Sequence, residues 1–239
     1  MNTTVNSKGL LQITPHKLII PFGTFYLCQH QFRFMRYSLI IILVFFRSLA
    51  CFSQNADIDL LKKINGSYTP NGGGVMEVFT HSVNPVCLGV PAGIFITGAI
   101  KKDKVLMVNG LEIGSASFVT GLFTAGLKWG IDRERPFITY PNDITKYTSA
   151  GSPSFPSGHT SMAFSTATSV SLLYPKWYVI VPAYTYACAV GYSRMYLGVH
   201  YPSDVLAGAL LGSGTAIGTH YLFRYLKKRY VAKKQMAFL

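Results

Sequence analysis

Three short segments of the 239-residue chain carry side chains that could grip an anion and do nucleophilic or acid–base work on it. In the first, Lys128 and Arg135 flank a turn that ends in Pro136. Two cations so placed could hold an anion, or could cap the carbonyls of a helix end and snorkel to an interface. The second is the run Pro156, Ser157, Gly158, His159, just ahead of an apolar stretch. Pro and Gly shape a turn there, and backbone N–H groups at the start of a helix point at an anion that the helix dipole favours. Ser157 can add a hydroxyl donor and His159 a transferable proton. Taken alone, the run reads equally well as an N-cap beside a surface histidine. In the third, Ser193 and Arg194 precede His200 and Asp204. The spacing of His200 and Asp204 lets a helical or turn-like segment bring the carboxylate to the imidazole. A carboxylate on one ring nitrogen fixes the tautomer and leaves the lone pair of the other free to attack.

The elements that must position these residues are apolar. The chain is 49% hydrophobic, with 16 Phe and 15 Tyr, and only 13% of it is charged. A soluble domain carries about a quarter charged residues. Apolar stretches at 86–100, 105–127, 159–174, 177–193 and 205–223 approach the roughly 20 residues that a helix needs to cross a bilayer. Several are rich in Gly, Ala, Ser and Thr, which suits close helix packing in a membrane. Segments such as AFSTATSVSLLY carry no charge on any face, unlike the amphipathic helices of a soluble protein.

The formal net charge is +13. Its distribution argues against a nucleic-acid surface, which needs cations along one soluble face. Here Lys101, Lys102 and Lys104 form one knot, and Arg224, Lys227, Lys228, Arg229, Lys233 and Lys234 crowd the C-terminus, as at cytoplasmic helix ends. With both knots inside, the segments 128–158 and 194–204 fall together on the outer face, so the three motifs meet there.

In this order, K-x6-R-P, then P-S-G-H, then S-R-x5-H-x3-D, the motifs resemble those of the type 2 phosphatidic acid phosphatase superfamily, which includes lipid phosphate phosphatases, bacterial acid phosphatases and vanadium haloperoxidases. The resemblance spans about residues 55–225. It implies an all-α polytopic transmembrane bundle with five or six crossings, in a bacterial inner membrane, with its site facing the periplasm or exterior. It implies a phosphatase with His200 as nucleophile, Asp204 orienting it and His159 as acid and then base. Lys128, Arg135, Arg194, Ser157 and the Gly158 N–H would cradle the phosphate. A phosphoryl group in transfer spreads negative charge over its equatorial oxygens and requires such donors. No metal, cofactor, nucleic acid or obligate protein partner is implied; the partners are the membrane and a lipid phosphate. Lipid A phosphate, undecaprenyl diphosphate, phosphatidylglycerol phosphate and phosphatidic acid are the substrates that the resemblance suggests. A secreted nonspecific acid phosphatase and a non-catalytic lipid-binding membrane protein are the alternatives, with a haloperoxidase behind them.

Residues 1–34 read as an extension ahead of a natural start at Met35, 35–54 as a signal peptide or signal anchor, 55–225 as the phosphatase domain and 226–239 as a basic cytoplasmic tail. Cys51 lacks the aliphatic residue expected three before a lipoprotein cysteine. The cysteines Cys28, Cys51, Cys87 and Cys188 have no CxxC spacing and are read as buried packing residues. His16, His30, His81 and His220 lie outside the motifs. Glu112, in the 105–127 stretch, needs an interface or the bundle interior. Asp132 and Glu134 are read as balancing their basic neighbours.

Overall fold

The structure is a computed structural model that describes residues 4–5, 11–12 and 56–236. The chain divides into two units, Met1–Phe52 and Ser53–Leu239. In the first, β1 (Thr4–Val5) pairs antiparallel with β2 (Leu11–Gln12), a two-residue ladder that an all-α reading does not include. Met35, the signal-like segment 35–54, Cys28 and Cys51 lie outside the described residues.

The described part of the second unit is helical throughout: α1 (56–66), α2 (Pro70–Ile100), α3 (Lys104–Ile131), the single turn α4 (Pro136–Thr139), α5 (Gly158–Leu173), α6 (Trp177–Tyr196) and α7 (Pro202–Met236). α2 starts well before residue 86, because Thr69 caps it by accepting from the Gly72 N–H at 3.2 Å and Pro70 needs no partner at the first helical position. The polar residues that hide this first half in the sequence are satisfied in the bundle: Thr80 bonds Ser193 at 2.9 Å and Ser82 bonds Tyr186 at 2.8 Å. α3 starts on the Asp103 carboxylate, which accepts from the Val105 and Leu106 N–H groups. It ends at Asp132 in the left-handed region, φ 47°, a conformation that a short polar side chain tolerates. That reversal comes just past Lys128.

One core unites Val83 and Cys87 of α2, Ala163 and Ala167 of α5, and Ala187 and Val190 of α6. Cys188, by contrast, is exposed, so the expected packing role fits Cys87 alone of the two described cysteines. α7 lies against α5 at two glycines. A Cβ at Gly208 would sit 2.7 Å from the Ser157 carbonyl oxygen, and Gly212 abuts the Ser161 carbonyl. The contact locks the start of α5 against the start of α7, where the second and third motifs lie.

Leu88 of α2 and Phe118 of α3 are two-thirds exposed, at 67% and 69%. Pro70–Ile100 and Lys104–Thr139 are long and apolar enough to cross a membrane, and only 22% and 33% of their most apolar windows are buried. A soluble protein would bury such helices, so this surface suits lipid.

Candidate active site

The three motifs converge, although they are separated by tens of residues. Lys128 lies in the last turn of α3, and Arg135 at the N-cap of α4. Gly158 and His159 open α5, Arg194 lies in the last turn of α6, His200 in the α6–α7 turn and Asp204 in the first turn of α7. A cavity of about 300 Å³ is lined by Lys128, Gly158, His159 and His200 on its polar side. Val83 of α2 and Met162 of α5 line it too, so the chamber has an apolar flank as well as a charged one.

His200 faces two environments. Its Nδ1 lies 3.5 Å from Asp204 Oδ2 and 3.4 Å from Ser154 Oγ; its Nε2 lies 3.4 Å from Arg135 Nη1. With the proton on Nδ1, towards the carboxylate, Nε2 carries the lone pair and faces the Arg135 guanidinium. Burial pushes the imidazole down to about 3, with Arg135 and Arg194 adding to the effect and Asp204 opposing it, so the ring is neutral at physiological pH. His200 is only 2% exposed. Arg135 and Ser154 close over it, so a place in the outer segment 194–204 does not leave it open to solvent.

Asp204 is completely buried and satisfied on both oxygens. Oδ1 accepts from Arg133 at 2.7 Å; Oδ2 accepts from Ser154 Oγ at 2.5 Å and the Tyr201 N–H at 3.0 Å. Burial alone would raise its carboxyl, but His200, Arg133 and Ser154 together outweigh it and hold the group below the usual carboxylate range.

Around the cavity the charge is uncompensated. Among the described residues, Lys128, Arg135 and Arg194 form no ion pair. They are fixed by neutral partners instead: Lys128 donates to the Pro153 carbonyl, and Arg135 donates to the Ser152 and Val199 carbonyls at 2.7 Å each. Arg194 donates to Thr80 Oγ1 at 3.0 Å, while its Nε has no partner although the residue is buried. Three fixed cations and a spare buried donor make a ready anion site, since the cost of assembling like charges is already met by the fold. Ser157 is fully buried; it accepts from Thr160 Oγ1 at 2.9 Å and donates its N–H to the Asp204 carbonyl, so it stands behind the cavity wall. Gly158 lines the cavity beside Thr124 and Lys128.

Asp57, Arg133, Ser154 and Thr80 belong to this arrangement without having stood out in the sequence as site residues. Arg133 pairs with Asp57 at 2.9 Å and with Asp204, not with the adjacent Asp132 or Glu134. Local charge balance is thus the wrong reading of that segment. Only the paired spacing of charges could have hinted at it.

The PAP2 superfamily model matches residues 109–228. The undecaprenyl-diphosphatase of Sulfolobus acidocaldarius is 30% identical over 179 residues, 73% of this chain and 83% of that protein. The lipid A 4'-phosphatase of Bacteroides thetaiotaomicron is 27% identical over 195 residues, covering 77% and 82%. Among solved structures, the first transmembrane PAP2 type phosphatidylglycerolphosphate phosphatase from Bacillus subtilis superposes with a TM-score of 0.61 at 26% identity, over 80% of this chain and 96% of that one. With one family model matching half the chain, and phosphatases matching most of it in sequence and in fold, the chain belongs to the PAP2 superfamily and is a membrane phosphatase.

Proposed function

We propose that the protein hydrolyses a phosphomonoester or diphosphate of an envelope lipid through a phosphohistidine on His200. The observation that carries this is His200 with Nδ1 towards Asp204 and Nε2 towards Arg135, beside a cavity lined by Lys128 and His159 on one flank and by Val83 and Met162 on the other. A headgroup phosphate and the first part of an attached chain are the kind of ligand such a chamber fits.

In the proposed reaction, Nε2 of His200 attacks phosphorus in line while the bond from phosphorus to the leaving oxygen breaks. That oxygen takes a proton from His159. Lys128, Arg135 and Arg194 stabilise the equatorial oxygens, with the Gly158 N–H as a further donor. His159 then removes a proton from water, the resulting hydroxide attacks phosphorus, and the P–N bond breaks to release inorganic phosphate and restore His200. None of these steps calls for a metal.

The same reading takes the helices over 86–100, 105–127, 159–174, 177–193 and 205–223 as five crossings, six with the Met35 segment, in a bacterial inner membrane. The site then faces the periplasm or exterior and meets lipids of the outer leaflet. The relatives act, by their names, on undecaprenyl diphosphate and lipid A, which supports an envelope lipid as substrate.

The test is phosphate release by the purified protein in detergent from lipid A phosphates, undecaprenyl diphosphate, phosphatidylglycerol phosphate and phosphatidic acid. We expect release from at least one and little from water-soluble phosphomonoesters. Equal or faster turnover of soluble esters would overturn the lipid assignment. For sidedness, Thr145→Cys in a cysteine-free background should react in intact cells with a reagent that cannot cross the inner membrane, and Lys228→Cys should not. The reverse pattern would put the site in the cytoplasm.

A further inference from the structure

Arg133 sits among the cations of the first motif, yet its charge is not available to a substrate. Its Nη1 donates to Asp204 Oδ1 and to Ser203 Oγ, both at 2.7 Å, and its Nη2 donates to Asp57 Oδ2 at 2.9 Å. The guanidinium also lies over the Tyr201 ring, 3.9 Å from the centroid. Two carboxylates and a stacked face fix the planar group in one position, which a lysine could not reproduce.

Asp57 does two jobs. Besides holding Arg133, it accepts the Ser203 N–H at 2.8 Å and the Ser203 hydroxyl. The Ser203 N–H is one of the donors left without an intrahelical partner at the start of α7. The Asp57 and Asp204 side chains are 3% and 0% exposed. So α1, which lies outside the segment 109–228 that the family model matches, reaches the carboxylate on which the nucleophile depends.

We propose that Arg133, held in place by Asp57, is a positioning residue for the Asp204–His200 pair, and that α1 is therefore part of the catalytic apparatus. The inference rests on the reading of His200 as nucleophile. Its chemistry follows from which groups face Asp204: Arg133 from the α3–α4 turn, His200 from the α6–α7 turn, Ser154 from the loop before α5, and Lys128 and Arg135 at longer range. Arg133 is its only direct cationic contact among the described residues. With Arg133 in place, Asp204 stays ionised and accepts the Nδ1 proton. Without it, Asp204 takes up a proton more readily. A neutral carboxyl then donates to Nδ1, the ring proton moves to Nε2, and the lone pair that attacks phosphorus is lost.

The test uses the full chain in detergent with Arg133→Gln, Arg133→Lys and Asp57→Asn. Two measurements are made on each: the kcat profile against pH with the panel lipid that the wild type turns over, and the tautomer of His200 by NMR of isotope-labelled histidine. Arg133→Gln should lower kcat about 10- to 100-fold, the usual loss when the outer partner of an oriented histidine is removed. KM should change little, and the acid limb should move to higher pH. Arg133→Lys should recover part of the loss, and Asp57→Asn should shift the limb in the same direction by less. General destabilisation would scale kcat without moving the limb. A wild-type limb together with a wild-type His200 tautomer in Arg133→Gln would overturn the proposal. If the wild type hydrolyses none of the lipids, the functional reading falls, and the tautomer shift alone still decides the role of Arg133.

Discussion

Among the described residues two histidines meet a carboxylate, and the pair with the shorter contact is not the one proposed to react. Glu112 of α3 and His220 of α7 meet at 2.7 Å; His200 and Asp204 are 3.5 Å apart. Glu112 lies near the start of α3 and His220 far along α7, so their pair sits towards the opposite end of both helices from Lys128 and Asp204. No cation accompanies it in the ion pairs of the described residues, and it does not line the cavity beside His200. At the other end, Asp204 is held on both oxygens, Lys128, Arg135 and Arg194 form no ion pair among the described residues, and His200 lines a cavity. A histidine–carboxylate contact becomes catalytic through what surrounds it: a fixed carboxylate, a free lone pair and a place for the electrophile.

Breaking the reactive pair should have the largest effect. His200→Gln, chosen because the site is buried and glutamine fills more of it than alanine, should lower kcat by about 10^4-fold or more with the protein still folded, as loss of a nucleophile does. Measurable turnover above roughly a thousandth of wild type would refute the assignment. Asp204→Asn should cost less, roughly 100-fold or more, because it disturbs the tautomer rather than removing the attacking atom. The smallest effect on turnover belongs to the other pair. Glu112→Gln should leave kcat within about threefold and lower stability by about 1 kcal/mol, the usual worth of a weakened buried hydrogen bond, read as a lower melting temperature in detergent. A loss of turnover there comparable to that of Asp204→Asn would mean that the two ends of the bundle act together.

The candidate-site half of this contrast was legible in the sequence because it is built from local motifs. Lys128, Arg135, Gly158, His159, Arg194, His200 and Asp204 each sit at the end of an apolar stretch, and the fold brings those ends together. The outer layer was not legible. Asp57 and Arg133 are 76 residues apart, and Asp132 and Glu134 flank Arg133 and offer an obvious but wrong partner. What redirects the arginine is the left-handed turn at Asp132, a tertiary choice rather than a pattern. The Glu112–His220 pair had half a signal: a carboxylate in an apolar helix calls for a partner, but nothing in the spacing says that it is His220, 108 residues on. The first half of α2 was hidden for another reason. Its Gly, Thr and Ser residues lower the local hydropathy, and only the hydroxyl contacts to α6 show why a helix persists there.

In the proposed reaction phosphorus becomes bonded to His200 Nε2, and that bond can be trapped. The wild type would be mixed with a radiolabelled lipid phosphate, quenched in alkali, where phosphohistidine survives, and digested for peptide mapping. Label is expected on the peptide containing His200, at Nε2, and none in His200→Gln. Label on another residue, or steady hydrolysis by His200→Gln, would contradict the proposed reaction.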